Sequence, residues 1–160
     1  MRRILLMALL AAIVFSLPLT VLANKQIFLA SLTTGAEVHE VIGSNASGNG
    51  VLGTTPHGVR FEIAVFGLSG DATAAHIHGP AAPGVNGPVV VTLCGGPPPS
   101  VLAQCTMENG MLKITGMITN QLVGMNQAQF MSALSSGNLY INVHTQLNPA
   151  GEVRGQLYPR

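Results

Sequence analysis

The chain has 160 residues, of which 8% are charged, and a formal net charge of +1. So little charge, with no basic cluster, argues against a nucleic-acid partner and against electrostatic attachment to acidic lipid. It also argues against a helical bundle, which needs charged outer faces, whereas 19 glycines and 10 prolines suit short strands and many turns.

Residues 1–23 read as a secretory signal peptide. Arg2 and Arg3 form its basic start, residues 4–14 an uncharged apolar stretch, and Val21-Leu22-Ala23 the place a signal peptidase reads. The surroundings of the arginine pair match twin-arginine export poorly, which favours the general secretory route. Left uncleaved, the segment is only just long enough for an anchor, and Pro18 interrupts it. The remainder, 24–160, is one domain of ordinary size, near neutral and without a membrane span of its own. Its expected location is secreted or periplasmic.

A first strand is predicted over 25–32. Residues 35–49 are polar and glycine-rich, which gives a loop with an edge strand that 50–54 continues. Residues 59–66 form the clearest amphipathic strand, with Val59, Phe61, Ile63 and Val65 inward and Arg60, Glu62 and Ala64 outward. The turn 67–71 leads to a strand over 73–78, so these two strands are expected to pair as a hairpin. Residues 79–88 hold three prolines and three glycines and form a constrained loop. A short buried strand over 89–93 follows, then the cysteine loop, then a strand over 111–117.

One helix is predicted over 126–136, capped by Asn126, with Phe130, Ala133 and Leu134 on its apolar face and Gly137 just beyond its end. Strands over 139–145 and 153–158, joined by the turn Asn148-Pro149-Ala150-Gly151, close the chain. The fold class is therefore all-β: an antiparallel Greek-key β-sandwich or flattened barrel of about seven or eight strands.

Cys94 and Cys105 are the only cysteines and enclose a glycine- and proline-rich loop. In an exported chain such a pair reads as a disulfide, with a pair of thiolate metal ligands as the rival reading. The methionines at 107, 111, 117, 125 and 131 are dispersed and read as core packing rather than a thioether site. Asn45-Ala46-Ser47 matches a glycosylation sequon, a triplet common by chance.

The chemistry concentrates on histidine. Alternate side chains of a strand share a face, so His76 and His78 point the same way. His144 joins them from another strand. Three imidazoles without carboxylate suit copper or zinc better than calcium or magnesium, and they leave a coordination position open. The bland reading is a polar cluster at strand ends, hydrogen-bonded to turns. Asn142 shares a face with His144 and could orient the ligands, or it could satisfy neighbouring backbone. Arg154 reads either as the partner of Glu62 or Glu152 in an ion pair, or as a cation beside the histidines that attracts anions. His39 and His57 lie in polar loops and read as solvated. No nucleophile elbow, phosphate loop or close carboxylate pair is present.

Three stretches, Gly67-Leu68 followed by Ala75-His76-Ile77-His78-Gly79, then Gly84-Val85-Asn86-Gly87-Pro88-Val89-Val90, then 137–145 with 148–157 behind it, together resemble the CHRD domain, the module named after chordin. The likeness runs from about Gln26 to Leu157. Where family members often carry a Glu-Val-Pro-Pro segment, this chain has Glu37-Val38-His39-Glu40. The resemblance implies an extracellular or exported domain and names a fold more readily than an activity.

A fainter resemblance is to copper/zinc superoxide dismutases, in which one strand delivers two copper ligands and a late histidine a third. It implies that His76, His78 and His144 are copper ligands and Arg154 the anion-steering arginine. No histidine lies between Gly79 and Val143, so the bridging histidine and the zinc half-site of those enzymes have no counterpart. The expectation is a binding module holding a copper-like ion rather than an efficient enzyme. The alternatives are an extracellular protein-interaction module and a copper-only dismutase-like enzyme.

Overall fold

A computed structural model describes residues 25–96 and 102–160. The predicted signal, 1–23, lies outside the described residues. Ten strands, one short 3-10 turn and one helix follow in chain order: β1 (Ile27–Thr33), β2 (Ser47–Thr55), β3 (Gly58–Phe66), β4 (Ala72–His78), β5 (Val89–Cys94), β6 (Thr106–Glu108), β7 (Met111–Ile118), α1 (Gln127–Ser135), β8 (Tyr140–Thr145), β9 (Val153–Gln156) and β10 (Tyr158–Pro159). All pairings between these strands are antiparallel. The sheet runs β5-β4-β8-β9-β1-β2-β3-β7-β6, with β10 on β1. Among the described residues, no helix is long and apolar enough to cross a membrane.

The sheet has two limbs, β5-β4-β8-β9 and β1-β2-β3-β7-β6, which meet in a single register pair, Thr33 with Arg154. That narrow joint lets the sheet curl until β5 lies against β7, so both limbs enclose one core. Phe28, Leu52, Phe61, Ile63, Ile77, Leu93, Leu112, Ile141 and Val153 all lie fully inside it. Within β3 the expected alternation is realised: Val59, Phe61, Ile63 and Val65 are buried, while Arg60 and Glu62 are exposed.

Strand β2 is longer than its sequence suggests and is not an edge. It pairs β1 on one side and β3 on the other, turning into β3 through the two-residue loop Pro56-His57. Its alternate positions Gly48 and Gly50 carry no side chain, and glycine weakens a strand signal. Here the bare positions are filled from outside, Gly48 by Val65 and Gly50 by the tip of Ile141 from the opposite limb. A Cβ at either position would meet those groups.

The expected hairpin of β3 with the 73–78 strand does not form. β3 pairs β2 and β7, while β4 pairs β5 and β8. The turn 67–71 carries the chain from one limb to the other instead of reversing it in the same sheet plane. The strand predicted over 153–158 is broken at Leu157, a fully buried residue, into β9 and the two-residue β10.

The helix and its caps follow the prediction. The Asn126 side chain accepts from Gln129 N while Gln129 Oε1 accepts from Asn126 N, a reciprocal capping box. Phe130, Ala133 and Leu134 are its buried residues, and Gly137 follows its end at φ 69°. Cys94 and Cys105 form a disulfide, with Cα atoms 5.1 Å apart, which removes them as metal ligands. Met107, Met125 and Met131 pack against the core as expected.

Candidate metal centre

The outer face of the β4-β8-β9 limb is polar, although much of it is covered. Register explains its order. His76 faces Asn142, which faces Arg154; one step along, His78 faces Tyr140, which faces Gln156. His144 lies opposite Ala74. Because strand side chains alternate, these residues form two short rows on one face, and Ala75, Ile77, Ile141 and Val143 supply the core on the other. Two loops cover the rows, 79–88 from one side and 34–46 from the other.

The three histidines meet. One ligand-capable atom from each of His76, His78 and His144 can be chosen so that all lie within 4.8 Å of one another, and the three residues are half-buried. His76 Nδ1 is 3.0 Å from His144 Nε2. The rings of His76 and His144 have centroids 4.9 Å apart, and those of His76 and His78 5.5 Å.

Hydrogen bonds fix two tautomers. His78 Nδ1 lies 3.0 Å from the Gly87 carbonyl oxygen, and His144 Nδ1 lies 3.1 Å from that of Pro149. A carbonyl only accepts, so both Nδ1 atoms donate and both Nε2 atoms keep a lone pair. The Nε2 of His78 is buried and has no partner among the described residues. Each of these rings is thus held by its far nitrogen with a lone pair turned inward, the arrangement that orients a metal-binding imidazole.

Electrostatics keep the cluster neutral. Burial pushes the His76 pKa down to about 4, with His144 and His78 adding to the shift. Burial likewise lowers the pKa of His78, against the raising effect of its bond to Gly87, with the Arg154 charge lowering it further. His144 is lowered mainly by burial. At neutral pH all three imidazoles are therefore available as donors of electron pairs.

Arg154 forms neither of the expected ion pairs. It is 1% exposed, and its guanidinium donates to Val85 O at 2.7 Å and to Asn86 Oδ1 at 3.1 Å, both in the 79–88 loop. Its Cζ sits 3.5 Å from the centroid of the Tyr140 ring. Glu152 is occupied elsewhere: its carboxylate accepts from the hydroxyls of Ser44, Ser69 and Thr145, from Ser69 N and from Asn148 Nδ2. Glu62 is exposed on β3, in the other limb. Asn142 is buried among the rows, and its Oδ1 has no partner among the described residues.

Two site neighbours carried no sequence signal. The Glu37 side chain is 1% exposed, and burial raises its pKa to about 7, against the lowering fields of His39 and Arg154. His39 is half-buried, with Nε2 3.0 Å from Gly151 O, rather than solvated. Only the closeness of the two in Glu37-Val38-His39 hinted at a shared role, since a loop has no periodicity to place them. His57 is exposed at the β2–β3 turn, as expected.

Fold and site together define a class: a disulfide-closed antiparallel β domain whose covered polar face carries three convergent imidazoles. Residues 28–157 match the CHRD domain, and the chain belongs to that family. No curated protein and no solved structure matches the chain.

Proposed function

We propose that this protein is an exported binding module that holds a copper-like metal ion through His76, His78 and His144, with zinc as the alternative. The observation that carries this reading is the buried Nε2 of His78, unpaired among the described residues, beside two other imidazoles whose ligand atoms lie within 4.8 Å. Burying a polar atom without a partner costs about 1–3 kcal/mol, a cost that a bound ion removes. The signal-like residues 1–23 and the Cys94–Cys105 disulfide support export to an oxidising compartment.

Binding is favoured over dismutase-like turnover. Arg154 is enclosed and spends its donors on the 79–88 loop, which leaves it poorly placed to draw anions from solvent. Asn142, paired in register with His76, lies where it can bear on the ligands without binding the ion.

The test is titration of the mature protein with Cu(II), Cu(I) and Zn(II), beside a His76→Ala, His78→Ala double variant. Stoichiometric binding that the double variant loses is the expected result. No binding by a folded wild type would overturn the reading. The rival, a protein-interaction module, draws on Val85, 54% exposed within the 79–88 loop. Under that reading the histidines only brace the loop, and alanine at His76 alters stability but not metal content.

A further inference from the structure

The metal reading leaves a buried cation unexplained. The Tyr140 ring is stacked by groups from both flanking strands. The His78 ring lies parallel to it, 9° off, with centroids 5.0 Å apart, and the Arg154 guanidinium sits 3.5 Å from its centroid. The hydroxyl of Tyr140 accepts from Gly87 N at 3.1 Å, and the same Gly87 accepts from His78 through its carbonyl. A metal ligand and a fixed positive charge are thus locked on one aromatic ring and one loop.

That charge is only partly compensated. The guanidinium is enclosed and both of its acceptors are neutral; no carboxylate forms an ion pair with it among the described residues, and Glu37, the buried carboxyl that feels its field, is held toward its neutral form by burial. Nor does the cluster contribute a negative ligand, because its three members are all histidine. A fixed charge repels a dication twice as strongly as a monocation at the same place, and a half-buried site screens that repulsion poorly. Coordination points the same way. Cu(II) prefers a tetragonal set of ligands, which three imidazoles from two adjacent strands do not supply; against Zn(II), a filled-shell ion like Cu(I), the charge argument alone decides.

We infer that the site selects Cu(I) over Cu(II) and Zn(II), and that Arg154, acting through Tyr140, is the positioning residue that sets this preference. The inference rests on the metal-binding reading proposed above.

Asn86 provides the test, because it is exposed and its Oδ1 touches the guanidinium. Asn86→Asp places a carboxylate on Arg154 and neutralises its field without altering a ligand. Asn86→Ala removes the same hydrogen bond without adding charge. Affinities for Cu(I), Cu(II) and Zn(II) are measured by competition with chromophoric chelators on the folded mature protein and both variants. The wild type is expected to favour Cu(I), and Asn86→Asp to shift the Cu(I)/Cu(II) affinity ratio toward Cu(II) by about tenfold, as Coulomb's law gives for one charge near 10 Å in a partly buried site. Asn86→Ala should leave the ratio near the wild-type value. A wild type that prefers a divalent ion, or a ratio that Asn86→Asp leaves unchanged, overturns the inference while the metal site stands. Absence of any metal binding overturns the underlying reading as well.

Discussion

Glu37 and His76 pull the pH dependence of the metal-free fold in opposite directions. The His76 pKa falls from 6.5 to about 4 on folding, so between those values the unfolded chain binds more protons. The stability tied to neutral His76 is therefore present above pH 6.5 and is lost as pH falls toward 4. Glu37 rises from 4.5 to about 7, so between those values the folded chain binds the extra proton, and the stability tied to it is lost as pH rises through 7. Glu37→Gln removes the second effect alone. Relative to wild type, the variant should gain thermal stability from about pH 5 to pH 7 and level off above that, because it never buries a carboxylate charge. Thermal melts of both proteins across that range check this, and a constant difference in melting temperature would contradict it. At this scale the histidine cluster was legible, because strand alternation fixes which side chains share a face and His76, His78 and His144 all fall in strands. Glu37 and His39 were not, because the 34–46 loop is placed by tertiary contacts such as His39 with Gly151 and Ile42 with Asn148. Arg154 was half legible. Its face was right, but its partners come from a loop about 70 residues away, which no local pattern encodes.

The turn from β8 to β9 holds the face together, and Gly151 is its critical position. Its φ is 136°, a conformation side chains rarely adopt, and a Cβ there would come within 2.5 Å of Asn142 Oδ1 and 2.6 Å of Glu37 Oε1. Gly151→Ala therefore combines backbone strain of about 1–3 kcal/mol with overpacking of similar size. It should lower the urea midpoint markedly, with destabilisation of about 2–5 kcal/mol by denaturant titration. The substitution also pushes Asn142, the register partner of His76, so any protein that remains folded should bind metal less tightly. A loss below about 1 kcal/mol would show that the turn relaxes freely. Elements with strong local signals were legible, as the capped helix and the alternation of β3 illustrate. Pairing was less so. Strand β2 hid behind Gly48 and Gly50, whose missing side chains are supplied by Val65 and Ile141 from elsewhere in the fold. The 67–71 turn resembles a hairpin turn in composition, yet it crosses between limbs, because β3 already has β2 and β7 as neighbours.

At the scale of the molecule, the two limbs are joined by backbone, among the described residues, only along β1, through Thr33 with Arg154 and through β10, so closure depends on the core and on a covalent tie as well. Cys94 ends β5 and is fully buried, and its register partner is Ala75, the residue before His76. The disulfide therefore fastens Cys105, just before β6, to the outer strand of the limb that carries the histidines, but on the core face. The chain-entropy model gives about 3 kcal/mol for a loop of this size, most of it through the unfolded chain. Reduction should lower the stability of the metal-free protein by about that amount, read as a lower urea midpoint. The three histidines lie on the opposite face, and His78 and His144 are oriented by Gly87 and Pro149, neither of which the disulfide touches. Metal affinity at low denaturant should consequently stay within about threefold of the oxidised value, a change under 1 kcal/mol. At a metal concentration 100 times Kd, bound ion stabilises the fold by about 2.7 kcal/mol, so a reduced, metal-loaded protein should recover most of the midpoint that reduction removes. Urea titrations of the four states, oxidised and reduced, with and without metal, separate the two contributions. If reduction abolished metal binding in protein that remained folded, the faces would be coupled, and the independence argued from strand alternation would be wrong.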